Sequence, residues 1–207
     1  MTETADQDPV AQETHEAADD DHKDMANILA RVDRPVVLVG LMGAGKSTVG
    51  RRLAAIMQRD FIDADDAIED AAQRKIAEIF EEFGESYFRD GERRVIGRLM
   101  EENYGVIATG GGAFVDSETR ALILEKGIAV WIDCDLETLV ERTSRRNTRP
   151  LLKTGDPREI LTRLLDERRP LYAEAPVRVQ SDEGPHAQTA QAILRGIEDY
   201  LSGTRAP

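Results

Sequence analysis

The sequence predicts an α/β fold, with a five-stranded parallel sheet flanked by helices on both faces, plus a mobile lid. From Pro35 onward, short apolar runs rich in branched residues alternate with segments of helical periodicity. Such alternation indicates parallel strands, because each crossover carries a helix onto a face of the sheet. The first apolar run is followed by GLMGAGKST at 40–48, which fits the phosphate-binding pattern G-x-x-x-x-G-K-[ST] between a strand and a helix.

Each element has its own signal in the sequence. The predicted strands are short apolar runs at 35–39, 60–63, 106–108, 128–132 and 177–179. The predicted helices carry an apolar stripe or capping residues and lie at 48–57, 65–74, 76–83, 85–102, 116–125, 136–145, 158–174 and 187–201. Pro170 is expected to end or kink its helix, because proline has no N–H to donate.

The charge of the chain is uneven. Residues 1–24 hold nine acidic residues and one lysine, so they account for −8 of the net charge of −13. Residues 1–33 are therefore predicted to be a disordered acidic tail, and residues 34–203 a single domain. No broad basic face is available for a nucleic acid, and no apolar run is long enough to span a membrane.

Cysteine and histidine are scarce. Cys134 is the only cysteine, which excludes an intrachain disulfide and fits a cytoplasmic location; a packed thiol is favoured over a reactive one. With three histidines, two of them in the tail, catalysis by histidine and a Cys/His zinc site are both disfavoured.

The glycine-rich loop predicts binding of a nucleoside triphosphate. Its glycines let the main chain approach an anion closely, at the positive end of the following helix. Lys46 would reach the β- and γ-phosphates, and the Ser47 hydroxyl would be a ligand of Mg²⁺. The alternative is a glycine-rich turn that carries a lysine by chance, which the flanking strand and helix disfavour.

Further polar groups follow the second and third strands. Asp63 and Asp65 are two apart, which predicts side chains on one side of an extended segment. One carboxylate could hold a water molecule of Mg²⁺ and the other could orient or deprotonate a hydroxyl. The alternative is a helix cap at Asp65 or Asp66. Gly110–Gly112 suggest a backbone brought against a ligand, with a plain flexible turn as the alternative.

Arginines are concentrated between residues 141 and 170. Arg149 lies beside Pro150 in a predicted loop, so it is a candidate to neutralise a transferring phosphoryl group from a lid. For Arg145, Arg158 and Arg163, solvated helix faces are the favoured explanation. Arg89 and Glu92 are three residues apart on a predicted helix, which by itself would be an ordinary surface pair.

Taken together, these segments resemble the shikimate kinase family, a group of P-loop kinases. Besides the loop at 40–48, the matching segments in order are FIDAD at 61–65 with Ile68 and Glu69, IAEIF at 76–80, GE at 84–85, FR at 88–89 with Glu92, TGGGA at 109–113, RT at 142–143, NTRPLL at 147–152 and ERRPLY at 167–172. The resemblance runs from about residue 35 to 200 and leaves out the acidic tail. Like the family, the chain has no Walker B aspartate at the end of the third strand.

The resemblance implies an ATP-dependent, Mg²⁺-dependent kinase that phosphorylates the 3-hydroxyl of shikimate in aromatic amino-acid biosynthesis. Implied ATP-binding residues are Gly43, Ala44, Gly45, Lys46, Ser47, Thr48, Arg142 and Arg149, with Lys46, Asp65 and Arg149 catalytic. Implied shikimate-binding residues are Asp65, Arg89, Gly110, Gly111, Gly112 and Arg168. Ser47 would bind Mg²⁺ directly and Asp63 through water. The shikimate-binding region would span about 63–92 and the lid about 143–157, in a monomer whose partners are the two small-molecule substrates.

Three alternatives remain open on the sequence. A related P-loop kinase could act on another sugar acid such as gluconate, which also carries a carboxylate. A nucleotide-dependent switch would hydrolyse or exchange its nucleotide without an acceptor, although the guanine-reading N-K-x-D motif is absent. A catalytically inactive relative could bind shikimate without phosphorylating it.

Overall fold

The structure, a computed structural model, describes residues 28–102, 105–144, 155–181 and 184–204. The chain divides into two units, residues 1–33 and 34–207. In the first unit, residues 28–31 are helical, and the part of the predicted tail up to residue 27 lies outside the described residues. Within the described ranges, no helix combines the length and the apolar character needed to cross a membrane.

The second unit is built on one five-stranded parallel sheet. Its strands are β1 (Val36–Val39), β2 (Phe61–Asp63), β3 (Val106–Ala108), β4 (Ile128–Asp133) and β5 (Val177–Gln180), in the spatial order β2-β3-β1-β4-β5. Val37 of β1 is in register with Ile107 on one side and Ala129 on the other. β1, β3 and β4 are buried along their whole length, as expected for strands covered on both faces. The predicted parallel α/β sheet is confirmed.

Helices connect these strands and cover the sheet. They are α1 (Lys46–Met57), α2 (Ala64–Ala72), α3 (Ile76–Glu102), α4 (Ser117–Lys126), α5 (Leu136–Ser144), α6 (Pro157–Tyr172) and α7 (His186–Leu201). α1 packs on α7, which also packs on β5, while α4 packs on β4 and α3. Because β1 lies between β3 and β4, the loop that follows it opens at the centre of the sheet, where ligands of such folds bind.

Two details of the sequence prediction are wrong around β2. α2 begins at Ala64, one residue early, and its N-cap is Asp63 rather than Asp65 or Asp66. The Asp63 side chain accepts a hydrogen bond from the Asp65 backbone N–H at 3.1 Å. Asp65 is therefore in the first helical turn, and the two carboxylates do not belong to one extended segment. The polypeptide turns into a helix here because a carboxylate satisfies one of its free N–H groups.

A glycine divides the long third helix. Gly84 has φ 81° and ψ 177°, which breaks α3 into the two helical parts that the sequence predicts at 76–83 and 85–102. A side chain would be strained at this φ, so glycine suits the break. Ile68 of α2 and Ile79 and Phe88 on either side of the break form a small apolar cluster. That cluster fixes the N-terminal half of α3 against α2.

Candidate active site

The loop after β1 forms an anion-binding cradle at the start of α1. Gly43 (φ 88°) and Gly45 (φ 93°) adopt left-handed conformations, and Gly45 is the N-cap of the helix. Lys46 is only 8% exposed, and its Nζ donates to the carbonyl oxygens of Gly40 (2.7 Å) and Leu41 (3.0 Å). The lysine is thus folded over its own loop, beside the N–H groups that a phosphate would meet.

Ser47, Asp63 and Asp65 meet beside this loop. Ser47 Oγ donates to Asp63 Oδ2 at 2.6 Å, which joins the loop to the end of β2. Burial raises the pKa of Asp65 above 3.8; the neighbouring Asp63 carboxylate adds to this rise, and Lys46 opposes it. A carboxyl with a raised pKa beside an ammonium group is suited to accept a proton.

The three glycines after β3 are needed for close approach. A Cβ on Gly110 would lie 2.7 Å from Asp65 Oδ1, and a Cβ on Gly112 would lie 2.3 Å from Arg89 Nη2. A Cβ on Gly111 would lie 3.2 Å from the Met42 backbone nitrogen. None of the three has a positive φ, so freedom of the backbone is not the reason for glycine here. The triple glycine brings Asp65, Arg89 and the phosphate loop to one place.

The Arg89 guanidinium group lies against the glycine loop and is hydrogen-bonded to a buried carboxylate. Its Nη1 donates to Glu92 Oε2 at 2.5 Å, and its Nη2 donates to the exposed Glu85 at 3.2 Å. The Glu92 side chain is 1% exposed, and burial raises its pKa although Arg89 opposes the rise. Spacing alone predicted an ordinary surface pair, and only the family resemblance implied that Arg89 binds shikimate. The i, i+3 spacing was the available signal, but burial of Glu92 depends on packing that spacing cannot indicate.

Arg168 and Tyr172, one turn apart on α6, both donate to the carbonyl oxygen of Gly111, at 3.1 Å and 2.5 Å. The Tyr172 ring is 1% exposed and packs near Phe114 and Trp131. Sequence analysis gave no role to Tyr172, since an aromatic residue in an apolar pattern predicts only a core position.

The opposite flank of the phosphate loop is lined by Arg142 and His186. Arg142 Nη1 donates to Ser181 Oγ at 3.3 Å and to the Ala44 carbonyl at 3.5 Å. The Cε1 of His186 is 3.9 Å from the point where a Cβ of Gly45 would lie, and its buried Nδ1 has no hydrogen-bond partner.

Arg149 and most of the predicted lid lie outside the described residues. Cys134 is buried, as the sequence predicts.

This arrangement defines a class of protein. A cradle for phosphates opens at the centre of a parallel sheet, and a carboxylate and two guanidinium groups stand around the adjoining glycine loop. Cations suited to a small organic acid therefore lie next to a site suited to a nucleotide. The class is that of P-loop proteins with a second, small-molecule site.

Comparison with known proteins identifies the family. The family model for shikimate kinase matches residues 42–198. A shikimate kinase of Novosphingobium aromaticivorans is 57% identical over 191 residues, covering 90% of this chain and 99% of that protein. A solved structure of Acinetobacter baumannii shikimate kinase in complex with shikimate has a TM-score of 0.77 at 40% identity, covering 80% of this chain and 93% of the other. The chain belongs to the shikimate kinase family.

A gluconokinase structure from Sinorhizobium meliloti shares the fold alone. It is 18% identical with a TM-score of 0.56, covering 82% of this chain and 94% of its own.

Proposed function

We propose that this protein transfers the γ-phosphate of ATP to the 3-hydroxyl of shikimate and releases shikimate 3-phosphate, a step of aromatic amino-acid biosynthesis. The main observation behind this proposal is that the side chains of Asp65, Arg89 and Arg168 all lie against Gly110–Gly112, beside the phosphate loop. Membership of the shikimate kinase family supports the same activity. It also favours shikimate over gluconate, because the gluconokinase shares only the fold.

The acceptor would be held by charge and shape. Arg89 and Arg168 would bind the carboxylate of shikimate, since a guanidinium group matches a carboxylate with two parallel N–H groups. Asp65 would accept a hydrogen bond from the hydroxyl that attacks, and its raised pKa suits it to take the proton. The backbone of Gly110, Gly111 and Gly112 would pack against the ring, where no side chain fits.

The nucleotide would lie along the phosphate loop. The N–H groups at 43–48 would surround the phosphates, and Lys46 would turn from the Gly40 and Leu41 carbonyls to the β- and γ-phosphates. Arg142 would lie beside the adenine, and Arg149 would approach the transferred group from the lid. A lid matters here because water in the open site would compete with shikimate as the acceptor.

Mg²⁺ would be held by Ser47 and, through water, by Asp63. The pair fits such an ion, because a hydroxyl and a carboxylate oxygen already lie 2.6 Å apart beside the phosphate loop, and Mg²⁺ prefers oxygen ligands together with phosphates. When bound, the ion would neutralise charge on the phosphates. We further propose a cytoplasmic location, in keeping with a single buried cysteine, and a monomeric state.

A coupled assay tests the activity. With ATP and Mg²⁺, we expect ADP release that depends on shikimate, with gluconate giving under a hundredth of that kcat/KM. Lys46→Ala is the control, and it should abolish turnover because the lysine stabilises charge that develops on the phosphates. Mass spectrometry should identify shikimate 3-phosphate.

Other outcomes would contradict the proposal in different ways. ADP release that needs no acceptor would favour a nucleotide-dependent switch. Tight binding of shikimate by calorimetry without any turnover would favour an inactive relative. Gluconate as the better acceptor would favour the other sugar-acid kinase.

A further inference from the structure

The carbonyl oxygen of Gly111 is shared by two donors of different kinds. Arg168 Nη1 lies 3.1 Å from it and the Tyr172 hydroxyl 2.5 Å from it. Under the proposed function, Arg168 also has to bind the carboxylate of shikimate. The guanidinium group would then serve a backbone carbonyl and a ligand at once.

Tyr172 has no ligand to bind, although its hydroxyl is also hydrogen-bonded to Arg168. Its side chain is 1% exposed, and its ring is packed near Phe114 and Trp131, with Arg178 over the Trp131 ring at 4.6 Å from its centre. Burial raises the pKa of its hydroxyl to about 12, although Arg168 opposes the rise. The tyrosine therefore stays protonated and remains a donor at any physiological pH.

We propose that Tyr172 is a positioning residue for shikimate, because it holds the Gly111 carbonyl and so leaves Arg168 free to bind the substrate. Without the tyrosine hydroxyl, the Gly111 carbonyl and the shikimate carboxylate compete for the same guanidinium group. Binding of shikimate then leaves a partly buried carbonyl oxygen without a donor, which is costly. This inference rests on the proposed function, since it needs shikimate as the ligand of Arg168.

Tyr172→Phe tests the kinetic consequence. The substitution keeps the ring and its packing and removes one hydroxyl. We expect KM and the calorimetric Kd for shikimate to rise about fivefold to tenfold, which corresponds to the lower range for an unsatisfied buried group. The KM for ATP should stay within about twofold, since Tyr172 is hydrogen-bonded to the glycine loop and not to the phosphate loop. Tyr200→Phe is the matched control, because Tyr200 is 42% exposed on α7; it should change neither constant.

A double-mutant cycle in the absence of substrate tests the shared carbonyl. Tyr172→Phe and Arg168→Met each leave one donor on the Gly111 oxygen, whereas the double variant leaves none. In urea unfolding, we expect the folding equilibrium constant of the double variant to be about fivefold lower than the value obtained by multiplying the two single effects. Loss of packing alone would give effects that simply multiply.

The outcomes separate the two proposals. A shikimate KM for Tyr172→Phe within twofold of the wild type, an equal rise in both KM values, or an additive cycle would each overturn this inference. A wild-type protein that binds no shikimate would overturn the proposed function, while the unfolding cycle would still report whether the carbonyl is shared.

Discussion

At the scale of single residues, Asp65 is the group proposed to act on the shikimate hydroxyl, and its surroundings raise its pKa. It combines burial, a neighbouring carboxylate and a nearby ammonium group, and burial is the largest influence on its pKa. The sequence indicated a carboxylate at this point but not its protonation behaviour. That behaviour depends on α2 starting at Ala64, which turns Asp65 towards Gly110.

The raised pKa of Asp65 predicts a pH dependence. A base has to be ionised to accept the proton of the 3-hydroxyl, so kcat should fall on acidification as Asp65 becomes protonated. Because its pKa lies above 3.8, that fall should begin at a higher pH than for an exposed aspartate. The measurement is kcat against pH with both substrates saturating, with circular dichroism to verify that the protein is folded at each point.

Asp65→Asn is the companion variant for this profile. Asparagine can still hydrogen-bond the hydroxyl but cannot take its proton, so we expect kcat to fall by roughly 10²- to 10⁴-fold. Retention of more than a tenth of the wild-type kcat would mean that Asp65 only aligns the hydroxyl.

At the scale of elements, the glycine loop after β3 illustrates what the sequence could and could not predict. The alternation of strands and helices was sufficient to predict the sheet and the cleft at its centre, because the apolar pattern of each element is visible within a short stretch of sequence. The reason for three glycines was not predictable, since it depends on Asp65 and Arg89 from other elements. The same holds for Tyr172, whose hydrogen bond joins residues 61 positions apart. The roles of these residues stay predictions.

Gly112→Ala tests the close packing of this loop. A Cβ at Gly112 would lie 2.3 Å from Arg89 Nη2, and the nearest atoms all belong to the flexible end of that arginine. The guanidinium group can move away from the new Cβ, but the move weakens its pair with the buried Glu92. We expect the KM for shikimate to rise about tenfold or more, as for loss of a charged hydrogen bond, and the melting temperature to fall by several degrees because a buried carboxylate loses part of its pairing.

Gly97→Ala is the matched control for this substitution. Gly97 lies inside α3, and a Cβ there would meet only the tip of Leu122 at an ordinary 3.5 Å. Alanine should stabilise the helix by about 1 kcal/mol and leave both KM values unchanged. A Gly112→Ala protein with a normal KM for shikimate would argue against Arg89 as a ligand of its carboxylate.

At the scale of the whole molecule, charge is the property that the fold does not explain. Of the net charge of −13, residues 1–24 carry −8 and all later residues together −5. Both proposed substrates are anions, so an acidic segment would repel them at long range. Salt at physiological concentration reduces such repulsion beyond about 8 Å. The acidic segment should therefore affect encounter with substrate more than the chemical step.

Deletion of residues 1–24 tests whether the acidic segment affects only the encounter with substrate and not the chemical step. The residues proposed to bind substrates or act in catalysis lie between Gly43 and Arg168, so we expect kcat to stay within about twofold of the wild type. At low ionic strength, the KM values for ATP and shikimate should fall modestly, because repulsion between like charges is removed, and the difference should vanish by about 0.15 M salt. A variant in which the nine acidic residues become their amides is the control for chain length. A loss of kcat that persists at every salt concentration would instead mean that the segment helps to build the active site.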